Sequence, residues 1–151
     1  MNGFSGQKEQ GAPRATSRSL PIALLRARER VMGPIRPMLN QAGVTEQQWR
    51  VLRVLDESGP SDVTEIGRQA CLLMPSLTRM LQVMERKGLT IRGNHPDDRR
   101  KTLIEITAAG HRLIADNLEE TNRIFVELEA KFGTERIETL LDLLNELTAT
   151  R

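Results

Sequence analysis

A chain of 151 residues with 22 Lys+Arg, 20 Asp+Glu and only 3% aromatic residues fits one domain plus an extension, with a core that must be aliphatic. Cys71 is the single cysteine, which excludes an intrachain disulfide and points to a reducing cytoplasm. No apolar run approaches the roughly 18 residues of a membrane span, so a soluble chain without a membrane partner is expected.

The net charge of +2 conceals a division along the chain. Residues 75–101 hold seven Lys/Arg against three Asp/Glu, whereas residues 107–151 hold five against nine. Concentrated basic character of this kind suits a polyanion such as nucleic acid, although a basic membrane-facing surface gives the same arithmetic.

The opening "MNGFSGQKEQGAPRATSR" reads as a disordered tail over 1–18. From Leu20 the pattern turns helical. Leu24, Val31 and Met38 repeat every seven residues, as do Leu25, Met32 and Leu39. Pro34 and Pro37 interrupt this face, predicting a kinked helix or two short ones. In "VTEQQWRVLRVLDESG", Thr45 and Gln48 match a capping box, Trp49, Leu52 and Leu55 share a face, and Gly59 and Pro60 end the helix.

"SDVTEIGRQACLLMPSLTRMLQVMERKG" predicts two helices joined by a tight connection. Asp62 or Thr64 caps the first. Pro75 and Ser76 begin the second, and Gly88 stops it. "LTIRG" and "TLIEIT" then flank "NHPDDRRK" as two short strands around a polar loop. After Thr107 and Gly110 the chain is helical to its end, with Ile114, Leu118, Phe125, Leu128 and Phe132 in one stripe. Gly133 is a break before Ile137, Leu140, Leu141, Leu144 and Leu147.

Helices, a helix pair, a hairpin and further helices make a mainly α (α+β) chain, a winged helix-turn-helix framed by helices. The expected organisation is 45–106 for the DNA-binding domain, with 19–44 and 107–151 as helical dimerisation segments. The terminal stripes are more apolar than a small central domain needs, and a second copy of the chain would cover them.

Helix 75–87 carries the chemistry. With Leu77 pointing inward, Met80, Leu81 and Met84 fall within about 60° of it and form core. The opposite side presents Pro75, Arg79, Gln82 and Arg86, with Ser76 and Thr78 on the flanks. Arg can grip guanine O6/N7 bidentately, Gln can pair with adenine, and hydroxyls can bond phosphates or bases. A hairpin directly after such a helix can place Arg99 or Arg100, with Lys101 beside them, at a neighbouring minor groove. Asp98 then holds a guanidinium extended through a charge-assisted bond.

"PSLTRMLQVMERK" followed by "GLTIRGNHPDDRRKTLIEITAAG" resembles the MarR family of bacterial transcription regulators, whose wing carries a D-x-R, an apolar strand and a Thr-x-x-Gly. Here those positions are Asp98, Arg100, Thr107 and Gly110. "LPIALLRARERVMGPIRPML", "TEQQWRVLRVL" and "ACLLMPSLTRML" further resemble the branch that includes regulators of homoprotocatechuate degradation. The resemblance covers roughly residues 20 to 147. It implies a homodimer on a pseudo-palindromic double-stranded DNA operator, commonly a repressor released by small aromatic acids. It also implies groove reading by Ser76, Thr78 and Arg79, and a wing role for Arg100. "ACLLMP" departs from the family by being more apolar than the usual turn.

For the effector, a small aromatic or heteroaromatic carboxylate, the sequence nominates Arg26 as the partner of the acid and Trp49 as the wall for the ring. The cavity is expected where helix 20–40 crosses the helix starting near Thr45. An enzyme is disfavoured. His95 and His111 are the only histidines, and no phosphate loop, nucleophile elbow or metal-ligand spacing occurs, so no catalytic residue, metal or cofactor is expected. Two alternatives remain: a winged helix that docks proteins, and a redox sensor at Cys71. The second requires an exposed, cation-assisted thiolate, whereas the apolar neighbours of Cys71 favour a buried filler.

Overall fold

The computed structural model describes residues 12–150. The chain divides into two compact units, Met1–Gly33 and Pro34–Arg151. Most of the tail expected over 1–18, up to Gly11, lies outside the described residues. Within the remainder, Thr16–Arg18 form one 3-10 turn.

In the first unit, helix α1 runs Leu20–Met32, with Pro21 in its opening turn, where no intrahelical acceptor awaits an N–H. The Gly33 N–H closes it on the Glu29 carbonyl at 2.9 Å. None of its residues is buried, and Leu20, Leu24 and Leu25 are exposed.

The second unit begins with α2 (Ile35–Ala42). The helical pattern over 20–40 is therefore two helices, broken at Gly33 and Pro34. Pro37 does not interrupt anything, contrary to the expectation. It is the third residue of α2, where a missing N–H costs no ladder bond. Helix α3 (Glu46–Ser58) starts at the Thr45 and Gln48 capping box, both halves of which form at 3.1 Å.

A two-residue strand β1 (Ser61–Asp62) precedes α4 (Val63–Ala70), whose cap is Asp62, accepting the Glu65 N–H at 2.8 Å. Helix α5 covers Met74–Arg86 and ends in a Schellman motif. The Gly88 N–H bonds the Glu85 carbonyl at 2.9 Å and the Leu89 N–H bonds that of Met84 at 3.0 Å. Gly88 has φ of 72°, the left-handed region that a Cβ disfavours. Strands β2 (Thr90–Asn94) and β3 (Thr102–Ile106) follow, then the long α6 (Ala108–Phe132) and α7 (Thr134–Ala149).

The sheet is three-stranded and antiparallel in the order β1-β3-β2. Only β2 and β3 were expected; Ser61 and Asp62 add the third strand by pairing with Ile104 and Leu103. The core of this unit joins Leu52 and Leu55 of α3, Ile66 of α4, Leu77, Leu81 and Met84 of α5, and Ile104 of β3, all fully buried. Each such side chain contributes about 1.5–3 kcal/mol, so Leu81→Ala, which also opens a cavity, costs about 2–5 kcal/mol. Helix α2 packs on α6, where the Thr121 hydroxyl, which donates to the Asn117 carbonyl at 2.7 Å, lies 3.3 Å from the Met38 sulfur. Among the described residues, no helix is long and apolar enough to cross a membrane.

Two expected burial states differ. Met80 is half-buried, since it lies at the edge of the core-facing arc of α5. Cys71 is exposed rather than buried. It ends α4 at φ 55° and ψ 53°, and this left-handed step sends the chain toward α5 and its side chain outward.

Candidate nucleic-acid interface

Three local devices position the basic surface. The first is the turn between α4 and α5. The Cys71 and Leu72 N–H groups both close on the Gly67 carbonyl, the latter at 2.9 Å. Gly67 leaves little room for a side chain, because a Cβ there would lie 3.2 Å from the Leu72 carbonyl oxygen, a tight contact, and touch the Met74 sulfur at 3.4 Å. The two helices therefore approach closely.

The second device is the burial pattern of α5. With Leu77, Leu81 and Met84 held in the core, Pro75, Ser76, Thr78, Arg79, Gln82 and Arg86 are all exposed. The Thr78 hydroxyl donates to the Met74 carbonyl at 3.1 Å, which leaves its oxygen as an acceptor on the outer surface. Arg79 and Arg86 carry no intramolecular ion pair among the described residues. Glu85 is also exposed, a carboxylate that the outward set from the sequence did not include, but it faces Arg92 of β2 at 3.3 Å. This pair ties α5 to the root of the hairpin and fixes a cation there. Sequence reading missed Arg92, whose place opposite Glu85 depends on how the sheet packs against α5.

The third device is the base of the wing. The Thr107 hydroxyl donates to the Gly88 carbonyl at 2.6 Å and accepts the Gly110 N–H at 3.1 Å. One side chain thus caps α6 and fastens β3 to the end of α5. Gly110 sits so close to this junction that a Cβ would meet Ile106 Cγ1 at 2.5 Å and the Leu89 carbonyl oxygen at 2.7 Å. The Thr-x-x-Gly spacing is a steric requirement.

At the tip, the chain from His95 to Lys101 closes on itself through the His95 N–H to the Lys101 carbonyl at 3.2 Å and the Lys101 N–H to the Asp98 carbonyl at 3.1 Å. Asp98 is half-buried, while Arg99, Arg100 and Lys101 are exposed. Asp98 Oδ1 accepts the Arg100 backbone N–H at 2.9 Å and lies 3.7 Å from Arg100 Nε. The Arg100 side chain is 95% exposed. Asp98 thus bonds the Arg100 backbone, and the guanidinium stands in solvent beside the carboxylate.

The residues nominated for an effector stand as follows. Trp49 is half-buried on α3, and Arg26 is exposed on α1. A cavity of about 380 Å³ is lined by Arg36, Leu39, Asn40, Val44, Thr45, Glu46 and Gln47. The Arg36 Nε donates to Glu46 at 2.7 Å beside it. Trp49 does not line this cavity.

Comparison with known proteins agrees with this arrangement. Residues 44–102 match the MarR family model. The chain is 40% identical to the HTH-type transcriptional regulator FarR of Neisseria gonorrhoeae over 85% of its own length and 88% of the relative. It is also 40% identical to the homoprotocatechuate degradative operon repressor of Escherichia coli, over 87% and 88% respectively. Among solved structures, NadR in complex with 4-hydroxyphenylacetate superposes with a TM-score of 0.81 at 38% identity, covering 93% of this chain and 100% of NadR. The chain belongs to the MarR family of winged helix-turn-helix transcriptional regulators.

Proposed function

We propose that this regulator is a homodimeric repressor that reads a pseudo-palindromic operator, with α5 in the major groove and the 94–101 wing at the minor groove, and that a small aromatic or heteroaromatic carboxylate releases it. The observation that carries the reading is the outer surface of α5. Ser76, Thr78, Arg79 and Gln82 form one exposed set without a carboxylate, and the exposed Arg99, Arg100 and Lys101 follow on the wing. Guanidinium and amide groups suit base edges, whereas the wing cations meet phosphate and the negative potential of a narrow groove.

Dimerisation is supported by the exposed Leu118, Phe125, Val126 and Phe132 on α6 and Leu140, Leu141, Leu143 and Leu147 on α7. A monomer leaving such patches in water is prone to association. The name of the Escherichia coli relative supports repression, and the NadR complex supports an aromatic acid as effector. Trp49 is the proposed ring contact. Arg26 as the partner of the acid is a separate proposal from sequence, tested by Arg26→Ala.

The test is a gel shift on the promoter region adjoining the protein's own gene, repeated with a panel of aromatic acids. Specific retention of that DNA, released by at least one acid that also changes Trp49 fluorescence, is expected. Absence of specific retention overturns the reading; retention unaffected by millimolar acids overturns the effector alone.

A further inference from the structure

The connection into α5 breaks a local rule. Helix N-caps favour Ser, Thr, Asp or Asn, because a side-chain oxygen satisfies a first-turn N–H. Here the N-cap is Leu73, which makes no such bond and is 79% exposed, the highest exposure of any large hydrophobic residue among the described residues. Its neighbour Met74 differs, since its sulfur is seated against Gly67 between the two helices. Leu73 projects further than Met74, which is 42% exposed.

The surroundings indicate what covers it. Leu73 stands at the N-terminal end of α5, the end of a recognition helix whose residues meet base edges in a helix-turn-helix complex. Ser76, three residues on, is exposed as well, and Arg79 is exposed one turn further along the helix. No Asp or Glu occurs between Glu65 and Glu85, and since Arg68 is paired with Glu65, Arg79 carries the net charge of that interval. A polyanion is welcome here, and an apolar side chain offered to one finds a single apolar partner in the major groove, the C5-methyl group of thymine.

We propose that Leu73 is a specificity-determining residue that packs against a thymine methyl in each half-site. The inference rests on the DNA-binding reading and adds to it the chemical group recognised. The apolar turn "ACLLMP" is then a reading element, and the missing cap is the consequence of using that position for DNA.

The experiment separates the two claims. The full chain is used to select duplexes from a random library, and each thymine of the enriched half-site is replaced by deoxyuridine, which lacks only the methyl group. For the parent, one position should weaken binding about fourfold in one half-site and about fifteenfold when replaced in both. Leu73→Ala should bind the thymine duplex with that same loss and show no further loss on deoxyuridine. Leu73→Met, which keeps apolar reach, should retain the discrimination. Equal thymine preference in the parent and Leu73→Ala, or no deoxyuridine effect at any position, overturns the proposal and leaves DNA binding intact. Failure of the parent to enrich any sequence overturns both.

Discussion

Asp98 accepts the backbone N–H of Arg100 at 2.9 Å while the same oxygen sits 3.7 Å from the Arg100 Nε. If the wing meets DNA as proposed, a carboxylate at its tip would repel phosphate, and a positioning role for Asp98 is the reading to test. It shapes the turn through that backbone bond, and the proposal is that its charge also favours an extended Arg100, reducing the entropy lost on binding.

The two roles of Asp98 predict opposite signs. Asp98→Ala removes a negative charge, and charge alone would tighten DNA binding. Positioning predicts weaker binding instead, by about three- to tenfold, with Asp98→Asn in between because it still accepts the N–H. In an Arg100→Ala background the loss should largely vanish. Fluorescence anisotropy on labelled operator, with each Asp98 variant measured in both backgrounds, checks this.

Gly110→Ala should destabilise the chain by about 2 kcal/mol or more, since the new methyl meets the Leu89 carbonyl as well as Ile106. A backbone oxygen cannot step aside as a flexible side chain can. Urea titration followed by circular dichroism measures the shift, and Ala108→Gly, at an exposed helix start, should cost much less.

Much of this was legible in the sequence because the signals were local. Thr45 with Gln48 and Gly88 before a strand each state a requirement within a few residues, and both form as expected; the Thr107 cap on Gly110 was not foreseen beyond its place at a helix start. The outer set on α5 followed from the helical period alone. What was missed depends on distant partners. Ser61 and Asp62 are too short to alternate and become a strand only because β3 lies beside them. Cys71 looked like filler because its neighbours are apolar, yet the left-handed step at its own Cα turns it outward. Leu73 carried a visible signal, an apolar residue where a cap belongs, that could have singled it out.

Glu65 makes part of the stability pH-dependent. The Arg68 guanidinium and the Gln69 amide hold its carboxyl down at about 2, against an ordinary value of 4.5. A lowered folded-state value contributes stability that is present above the unfolded value and lost as pH falls through the folded one. The loss should therefore run from about pH 5 down to about pH 2, and Glu65→Gln should remove that share of the acid limb. Urea midpoints measured across this range for both proteins give the comparison; parallel curves would contradict it.

Association should be strong at micromolar concentration. Light scattering is expected to give about twice the chain mass. Leu143→Glu, which places a charge on the exposed stripe of α7, should shift the chain toward monomer or unfolded material. A parent that is a well-folded monomer would contradict the dimer.

The central claim is that α5 reads sequence while the wing supplies affinity. The most direct measurement is binding of the parent, Arg79→Ala and Arg100→Ala to specific and scrambled duplexes over a salt series. Arg79→Ala should lose most of its preference for the specific duplex, about 1–3 kcal/mol per half-site. Arg100→Ala should weaken both duplexes alike and reduce the slope against log salt by about one for each phosphate left without its guanidinium. Two variants that bind the specific duplex as the parent does, with the same slope and the same preference, would contradict the account.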